Sequence, residues 1–313
     1  MAGLDDPKPR LICIVGPTGV GKTGMALELA GRWGGEIVSA DSMQVYRHMD
    51  IGTAKPTPEE RGRIPHHLID VVDPDEPFDA SRYIGLAHGV IDSLQRQGKP
   101  VFVVGGTGLY IRVLLGGLID GPGADEALRR ELKQEMNTRG SAYLYGRLRT
   151  RDPRAADRID PHDGVRIIRA LEVLELTGRS IVEHQQEHGF RNAPYAVLRI
   201  GLRLDRERLN DRIDRRTERM IADGFPEEVR RLLGRGWGES LKSMQSLGYR
   251  HMMDCLAGRQ GLERTMDLIK RDTRRYAKRQ MTWFAADREV GWLDPGDVEA
   301  ASERIGVFLD SRS

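Results

Sequence analysis

Cysteine is nearly absent. The only two, Cys13 and Cys255, stand far apart in a chain of 313 residues. That is too few for a disulfide scaffold or a zinc site, and it fits a reducing compartment. Also missing is any apolar run long enough to span a membrane, and the stretch Met1–Arg10, with Asp5, Asp6 and Lys8, has no apolar core of a secretory signal. The expectation is a cytoplasmic protein with no membrane partner. No internal repeat is visible. A strong net charge is lacking too: the formal value is +2. The near balance hides an uneven distribution, with acidic residues dominant from Asp41 to Asp79 and arginines crowded from Arg147 to Arg279. Composition alone allows those arginines to be a solvated surface, so their clustering on helix faces has to decide whether nucleic acid is a partner.

What is present begins with Gly16-Pro17-Thr18-Gly19-Val20-Gly21-Lys22-Thr23. It follows the apolar run Leu11 to Val15 and leads into Met25-Ala26-Leu27-Glu28-Leu29-Ala30, so it lies between a short buried strand and a helix. In that setting a G-x-x-x-x-G-K-[ST] match reads as a phosphate-binding loop and not as a plain glycine-rich turn. Its glycines let successive N–H groups converge on one anion, and the following helix aims the positive end of its dipole at the same point. Lys22 adds a full charge, and Thr23 offers a hydroxyl to a magnesium ion. A di- or triphosphate is implied; which one is left open.

Downstream, Glu36 to Ala40 reads as a second strand that delivers Asp41 at its carboxyl end, where ligands bind in open α/β sheets. A third strand is expected over Leu68 to Val72. Asp79 caps a helix from about Ala80 to Gln97, and Val101 to Val104 forms a fourth strand that runs into Gly105-Gly106-Thr107-Gly108-Leu109-Tyr110. This alternation predicts an α/β fold: a P-loop NTPase-like parallel sheet with helices on both faces. From Gly121 the pattern is helical only, over Asp125–Arg139, Ala142–Arg149, Pro161–Leu176 and Ile181–His188. The strand signal returns at Val197 to Leu202 and weakly at Val290 to Leu293. We therefore expect an α/β core over 1–120 and 194–313, interrupted by an all-helical insertion domain over 121–193.

Two helices carry unusual charge. In the helix starting near Asp205, Arg216 falls in the slot between Ile213 and Met220 of the apolar stripe. An inward arginine is costly unless paired, so it meets a phosphate or carboxylate, or else lays its stem on the core and reaches water or Asp214. In the helix from Leu262 to Phe284, the pattern places Leu262, Met266, Ile269, Tyr276 and Trp283 on one face and Arg271, Arg274, Arg275 and Lys278 on another. That stripe suits an RNA backbone, and a merely solvated face is its alternative. One further absence matters: the strand Val101–Val104 does not end in the magnesium-binding aspartate usual in an ATPase or GTPase. Asp41 is the one well-placed carboxylate, either a metal ligand or a base.

With these residues in hand, the chain resembles the bacterial tRNA dimethylallyltransferases, also called tRNA isopentenyltransferases. The likeness runs over nearly the whole length and rests on the loop Gly16–Thr23, on Ser39–Tyr46, Met49–Pro56, Pro65–Leu68, Val104–Tyr110, Ser246–Arg250 and Tyr276–Phe284. Singly, only the first is diagnostic of phosphate; in this order and spacing the set is highly specific. The resemblance implies transfer of a dimethylallyl group from dimethylallyl diphosphate to N6 of the adenosine 3′ of a tRNA anticodon, with magnesium and as a monomer. Gly16, Pro17, Thr18, Gly19, Val20, Gly21, Lys22 and Thr23 would hold the diphosphate, with Thr23 on the metal. Asp41 is implied as the base, Thr18 as the partner of the bridging oxygen, and Arg216 as the holder of its charge. Asp41, Ser42, Met43, Gln44 and Thr107 would meet the target base. Val165, Arg166, Ile167, Ile168 and Arg169 would meet the anticodon stem-loop, with Gln245, Ser246, Gly248, Tyr249 and Arg250 as a further tRNA-contacting stretch. The chain departs from its relatives in Gly19-Val20, where Ala-Ser is common, and in Leu247, where isoleucine is usual. No cysteine-rich extension follows the core, so no zinc finger is expected.

Three rivals remain at this point. An adenylate dimethylallyltransferase would run the same chemistry on free AMP, yet needs no helical insertion. A small-molecule kinase would use ATP through the same loop. A non-catalytic RNA-binding protein would have no chemical need for Lys22, Thr23 and Asp41 together.

Overall fold

The computed structural model describes residues 8–118, 121–189 and 193–311. The expectations for Met1–Pro7 and for residues 190–192 of the insertion lie outside them. The chain divides into two compact units, 1–115 with 194–313, and 116–193.

The first unit is built as β1 (Arg10–Val15), α1 (Lys22–Trp33), β2 (Glu36–Ser39), α2 (Pro58–Arg63), β3 (His66–His67), α3 (Ala80–Arg96), β4 (Val101–Gly105) and α4 (Gly108–Gly116). The second unit holds α5 (Glu126–Arg139), α6 (Ser141–Arg151), α7 (Pro153–Ala156), α8 (Gly164–Thr177) and α9 (Ile181–His188). The chain then returns to the first with β5 (Ala196–Leu202), α10 (Arg206–Ala222), α11 (Phe225–Gly234), α12 (Tyr249–Leu256), α13 (Leu262–Ala285), β6 (Gly291–Leu293) and α14 (Val298–Asp310).

The sheet has six parallel strands in the order β3-β2-β4-β1-β5-β6. In β1 and β4 the side chains alternate between two cores. Leu11, Cys13 and Val15 join Val101 and Val103 on one side, and Ile12 and Ile14 join Phe102 and Val104 on the other. Each face is covered: α3 brings Tyr83, Ala87 and Ile91 to the first, and α1 and α14 bring Leu29, Ala30, Ala301 and Ile305 to the second. Strands buried on both faces are continuous apolar runs, which is why these are plain in the sequence. Burial pushes the Cys13 thiol up to about 12. The second unit has its own core, with Leu132, Leu144, Leu148, Ile167 and Leu171. A fully buried Glu172 accepts the Asp125 N–H at 2.8 Å and pairs with Arg129 and Arg169.

Two expectations are corrected. The segment Leu68–Val72 is not a regular strand: β3 is confined to His66–His67, and Val72 makes only an isolated bridge to Tyr46. Leu68 and Asp70 have φ of 63° and 57°, so the backbone turns instead of extending, and Asp70 thereby reaches Lys55 and Arg61. On α13 the buried stripe is Thr265, Ile269, Thr273, Ala277, Gln280 and Phe284, whereas Leu262 is exposed. Apolarity alone misplaces that face because polar side chains are buried in it once bonded: Thr265 donates to the Gly261 carbonyl one turn back, and Gln280 is bonded to groups far away in the chain.

Candidate active site

The phosphate loop joins β1 to α1. Gly16, Gly19 and Gly21 have φ of 144°, 82° and 110°, and a Cβ on Gly16 would sit 2.7 Å from the Leu202 carbonyl oxygen on β5. Only glycine closes this turn. Two side chains brace the loop from outside its own sequence: Arg212 of α10 donates to the Val20 carbonyl at 2.7 Å, and Gln280 of α13 accepts the Thr18 N–H at 2.8 Å. Neither brace is visible in the sequence, because a bond across some two hundred residues leaves no periodic trace.

A cavity of about 260 Å³ opens at the carboxyl ends of the strands and is lined by Thr18, Gly19, Gly21, Lys22, Thr23, Asp41, Gln44 and Arg216 among others. The expected phosphate, base and cation groups thus share one space. Gly16, Pro17 and Val20 shape the loop without lining the cavity, and Val20 is fully buried in the core. Arg216 does not occupy the core slot expected for it; Thr217 does, its hydroxyl donating to the Ile213 carbonyl at 3.0 Å. One position round the helix, Arg216 faces the cavity, where it has no hydrogen-bond or ion-pair partner among the described residues.

The electrostatics follow from that sharing. Lys22 donates to the Gly16 and Pro17 carbonyls at 3.0 and 2.8 Å. Burial lowers its pKa to about 8, opposed by Asp41 and reinforced by Arg216. Burial also lowers the pKa of Arg216, again opposed by Asp41. Two partly desolvated cations and one carboxylate leave the cavity short of negative charge, the condition that favours an anionic guest.

Asp41 is oriented by its own loop. Its Oδ1 accepts the Met43 and Gln44 N–H groups at 2.8 and 3.3 Å, and Oδ2 has no partner among the described residues. Behind it, Thr107 Oγ1 accepts the Ser42 N–H at 3.0 Å. The Gln44 amide donates to the Thr53 and Ala54 carbonyls and holds that wall of the cavity. A second brace is not legible in the sequence either: Glu228, 2% exposed, accepts the N–H groups of Asp50, Ile51 and Gly52 and the Tyr249 hydroxyl.

The remaining expected residues are not among those lining the cavity. In 165–169, on the second unit, Val165 and Arg166 point outward, Ile167 and Ile168 are buried in that unit's core, and Arg169 is bonded to Glu172 and the Pro122 carbonyl. Helical periodicity allows only part of such a segment to face outward. In 245–250, Gln245 and Arg250 are exposed, Ser246 is half-buried, and Gly248 and Tyr249 are buried. On α13, Arg274 pairs with Asp214 and both Arg271 and Arg275 with Asp272, leaving Lys278 as the member of the stripe without an ion pair among the described residues.

A parallel sheet with a phosphate loop after its first strand and a carboxylate after its second defines a P-loop-type α/β enzyme. Comparison narrows the class. A family model described as IPP transferase matches residues 44–287, and one described as isopentenyl transferase matches 9–70. The tRNA dimethylallyltransferase 2 of Syntrophus aciditrophicus is 59% identical over 96% of this chain and 97% of its own. Among solved structures, the tRNA isopentenylpyrophosphate transferase of Bacillus halodurans is 41% identical with a TM-score of 0.73, covering 97% of both chains. A eukaryotic dimethylallyltransferase acting on tRNA is 29% identical with a TM-score of 0.82, covering 97% of this chain and 80% of the other. The chain belongs to the tRNA dimethylallyltransferase family.

Proposed function

We propose that this protein transfers the dimethylallyl group of dimethylallyl diphosphate to N6 of the adenosine 3′-adjacent to the anticodon of tRNA and releases diphosphate. The observation that carries the reading is the single cavity in which Lys22, Thr18 and Arg216 face Asp41. A kinase would need a phosphoryl acceptor between such groups; a prenyl transfer needs an anion hole beside a base.

In the reaction the C–O bond between the allylic carbon and the diphosphate breaks, with its electron pair going to the diphosphate. The N6 lone pair forms the new C–N bond, and the N6 proton passes to Asp41 Oδ2. An adenine amino group is a weak nucleophile, so a positioned base helps. The allylic cation is resonance-stabilised, so much of the barrier lies in charge developing on the leaving group, where Lys22, Arg216 and the loop N–H groups stand ready. Thr18 offers its hydroxyl to the bridging oxygen. Thr23, an oxygen donor on the cavity wall, suits magnesium, which is commonly held by one or two protein oxygens and substrate phosphates. Bound there, the ion would offset diphosphate charge.

The target base must leave its stack, at a cost of a few kcal/mol, to reach Asp41. Arg166 and Val165 on the second unit, Arg250, and Arg275 and Lys278 of α13 are exposed groups offered to the anticodon stem-loop. We place the enzyme in the cytoplasm as a monomer; no described helix is long and apolar enough to cross a membrane. The test is incubation of labelled dimethylallyl diphosphate and magnesium with unmodified tRNA and, in parallel, with AMP, with ATP hydrolysis followed as a control. Label in tRNA alone is expected. Label in AMP would overturn the partner, and ATP turnover without transfer would overturn the reaction.

A further inference from the structure

The phosphate loop and the Gly105–Thr107 turn end neighbouring strands, and one side chain from outside the sheet sits between them. Gln280 of α13 is 6% exposed. Its Oε1 accepts the Thr18 N–H and its Nε2 donates to the Gly106 carbonyl, each at 2.8 Å. A Cβ on Gly106 would lie 2.3 Å from that nitrogen, so the glycine is what admits the amide. One residue on, Thr107 holds the N–H of Ser42, the neighbour of Asp41. A single carboxamide is therefore bonded on one side to the leaving-group loop and on the other to the turn that backs the base.

Burying a carboxamide is unfavourable unless both its ends are bonded, and here both are. With its N–H committed to Gln280, Thr18 presents its hydroxyl, not its backbone, as the group free to meet a diphosphate oxygen.

We propose that Gln280 is a positioning residue for prenyl transfer: its amide sets the separation between the diphosphate loop and the base-bearing loop and fixes Thr18 with its hydroxyl toward the leaving group. The reaction named rests on the transferase reading, whereas the effect on anion binding does not.

The test compares Gln280→Met, of similar length with neither donor nor acceptor, and Gln280→Glu, which keeps an acceptor for Thr18. The full chain is used. Binding of inorganic pyrophosphate with magnesium is measured by calorimetry from pH 5.5 to 8, steady-state kinetics with dimethylallyl diphosphate and tRNA are recorded, and tRNA affinity is taken without donor. For Gln280→Met we expect pyrophosphate to bind at least ~10-fold more weakly. We expect kcat/KM for the donor to fall about 100-fold, the scale of a small misplacement of reacting groups, with tRNA affinity within about twofold. The ionised Gln280→Glu should be worse at pH 8, since it cannot donate to Gly106 and adds a negative charge near the anion. Its deficit relative to wild type at the same pH should shrink as the pH falls, because a protonated carboxyl both donates and accepts. Gln280→Met within about threefold of wild type in both pyrophosphate binding and kcat/KM would overturn the proposal, as would a Gln280→Glu deficit that does not change with pH, a comparison that stands even if the methionine variant folds poorly. Failure of the wild type to prenylate tRNA would sink the transferase reading and leave the pyrophosphate comparison still deciding the role of Gln280.

Discussion

Three charges share the cavity at the ends of β1 and β2, and Lys22 registers the crowding. With its pKa lowered to about 8 by burial, the amino group of the free protein is half neutral at that pH. A bound diphosphate stabilises the charged form and raises the value, so binding takes up a proton between the free and bound pKa values. As far as Lys22 is concerned, donor affinity should be flat below pH 8 and fall by up to about tenfold per unit above it. The donor's own last ionisation, near pH 6, is complete by then. Calorimetry at pH 8.5 in two buffers of different ionisation enthalpy should show proton uptake as a difference between the observed heats; equal observed heats would show that Lys22 is already charged. Asp41 gives a complementary test. Asp41→Asn preserves the turn that Oδ1 makes with Met43 and Gln44 but removes the proton acceptor, so the transfer rate should drop at least ~100-fold with tRNA affinity retained. A rate near wild type would reassign the base. Lys22, Thr23 and Asp41 are legible in the sequence because a local motif and a strand end place them. Arg212, Glu228 and Gln280 are not, since each is defined by a backbone partner far away in the chain.

At the scale of elements, α13 joins two jobs. Its buried stripe packs into the first unit, while its exposed side carries the basic residues read as an RNA face. The structure sharpens that reading: Arg274 is tied to Asp214 of α10, so replacing it would disturb packing as well as charge. The cleaner variant is Arg275→Ala with Lys278→Ala. It should weaken tRNA binding and lower the slope of log affinity against log salt by about 1 to 2, roughly one unit for each phosphate that is no longer neutralised. An unchanged slope in a filter-binding series would return this side of α13 to ordinary solvation. The continuous apolar runs of β1 and β4 and the helical period of α3 are readable in advance. The stretch 66–72 is not, because its shape is set by left-handed residues and by ion pairs from Asp70 to Lys55 and Arg61, none of which has a sequence period.

For the whole molecule, the separate core of 116–193 implies a division of labour. Replacing residues 121–189 with a short flexible linker should leave binding of dimethylallyl diphosphate within about threefold, because the cavity is built wholly from the first unit. On the proposed function, transfer to tRNA should fall at least ~100-fold, since the grip proposed for the second unit on the stem-loop offsets the unstacking of the target base. Loss of donor binding in that variant would mean that the units are not independent. The helical character of the insertion is legible from its sequence; the rotation of 165–169 that turns Ile167 and Ile168 inward follows from packing and is not.

The two cysteines acquire a practical meaning from their surroundings. Cys13, sealed in the central strand with its thiol raised to about 12, is shielded from thiol reagents at neutral pH, whereas Cys255 on α12 is only half-buried. A maleimide fluorophore should therefore attach to the natural protein at one place, Cys255, on the same helix as Tyr249 and Arg250. On the proposed function, emission from that single dye would then follow the arrival of tRNA at this stretch in real time, without any substitution in the sequence.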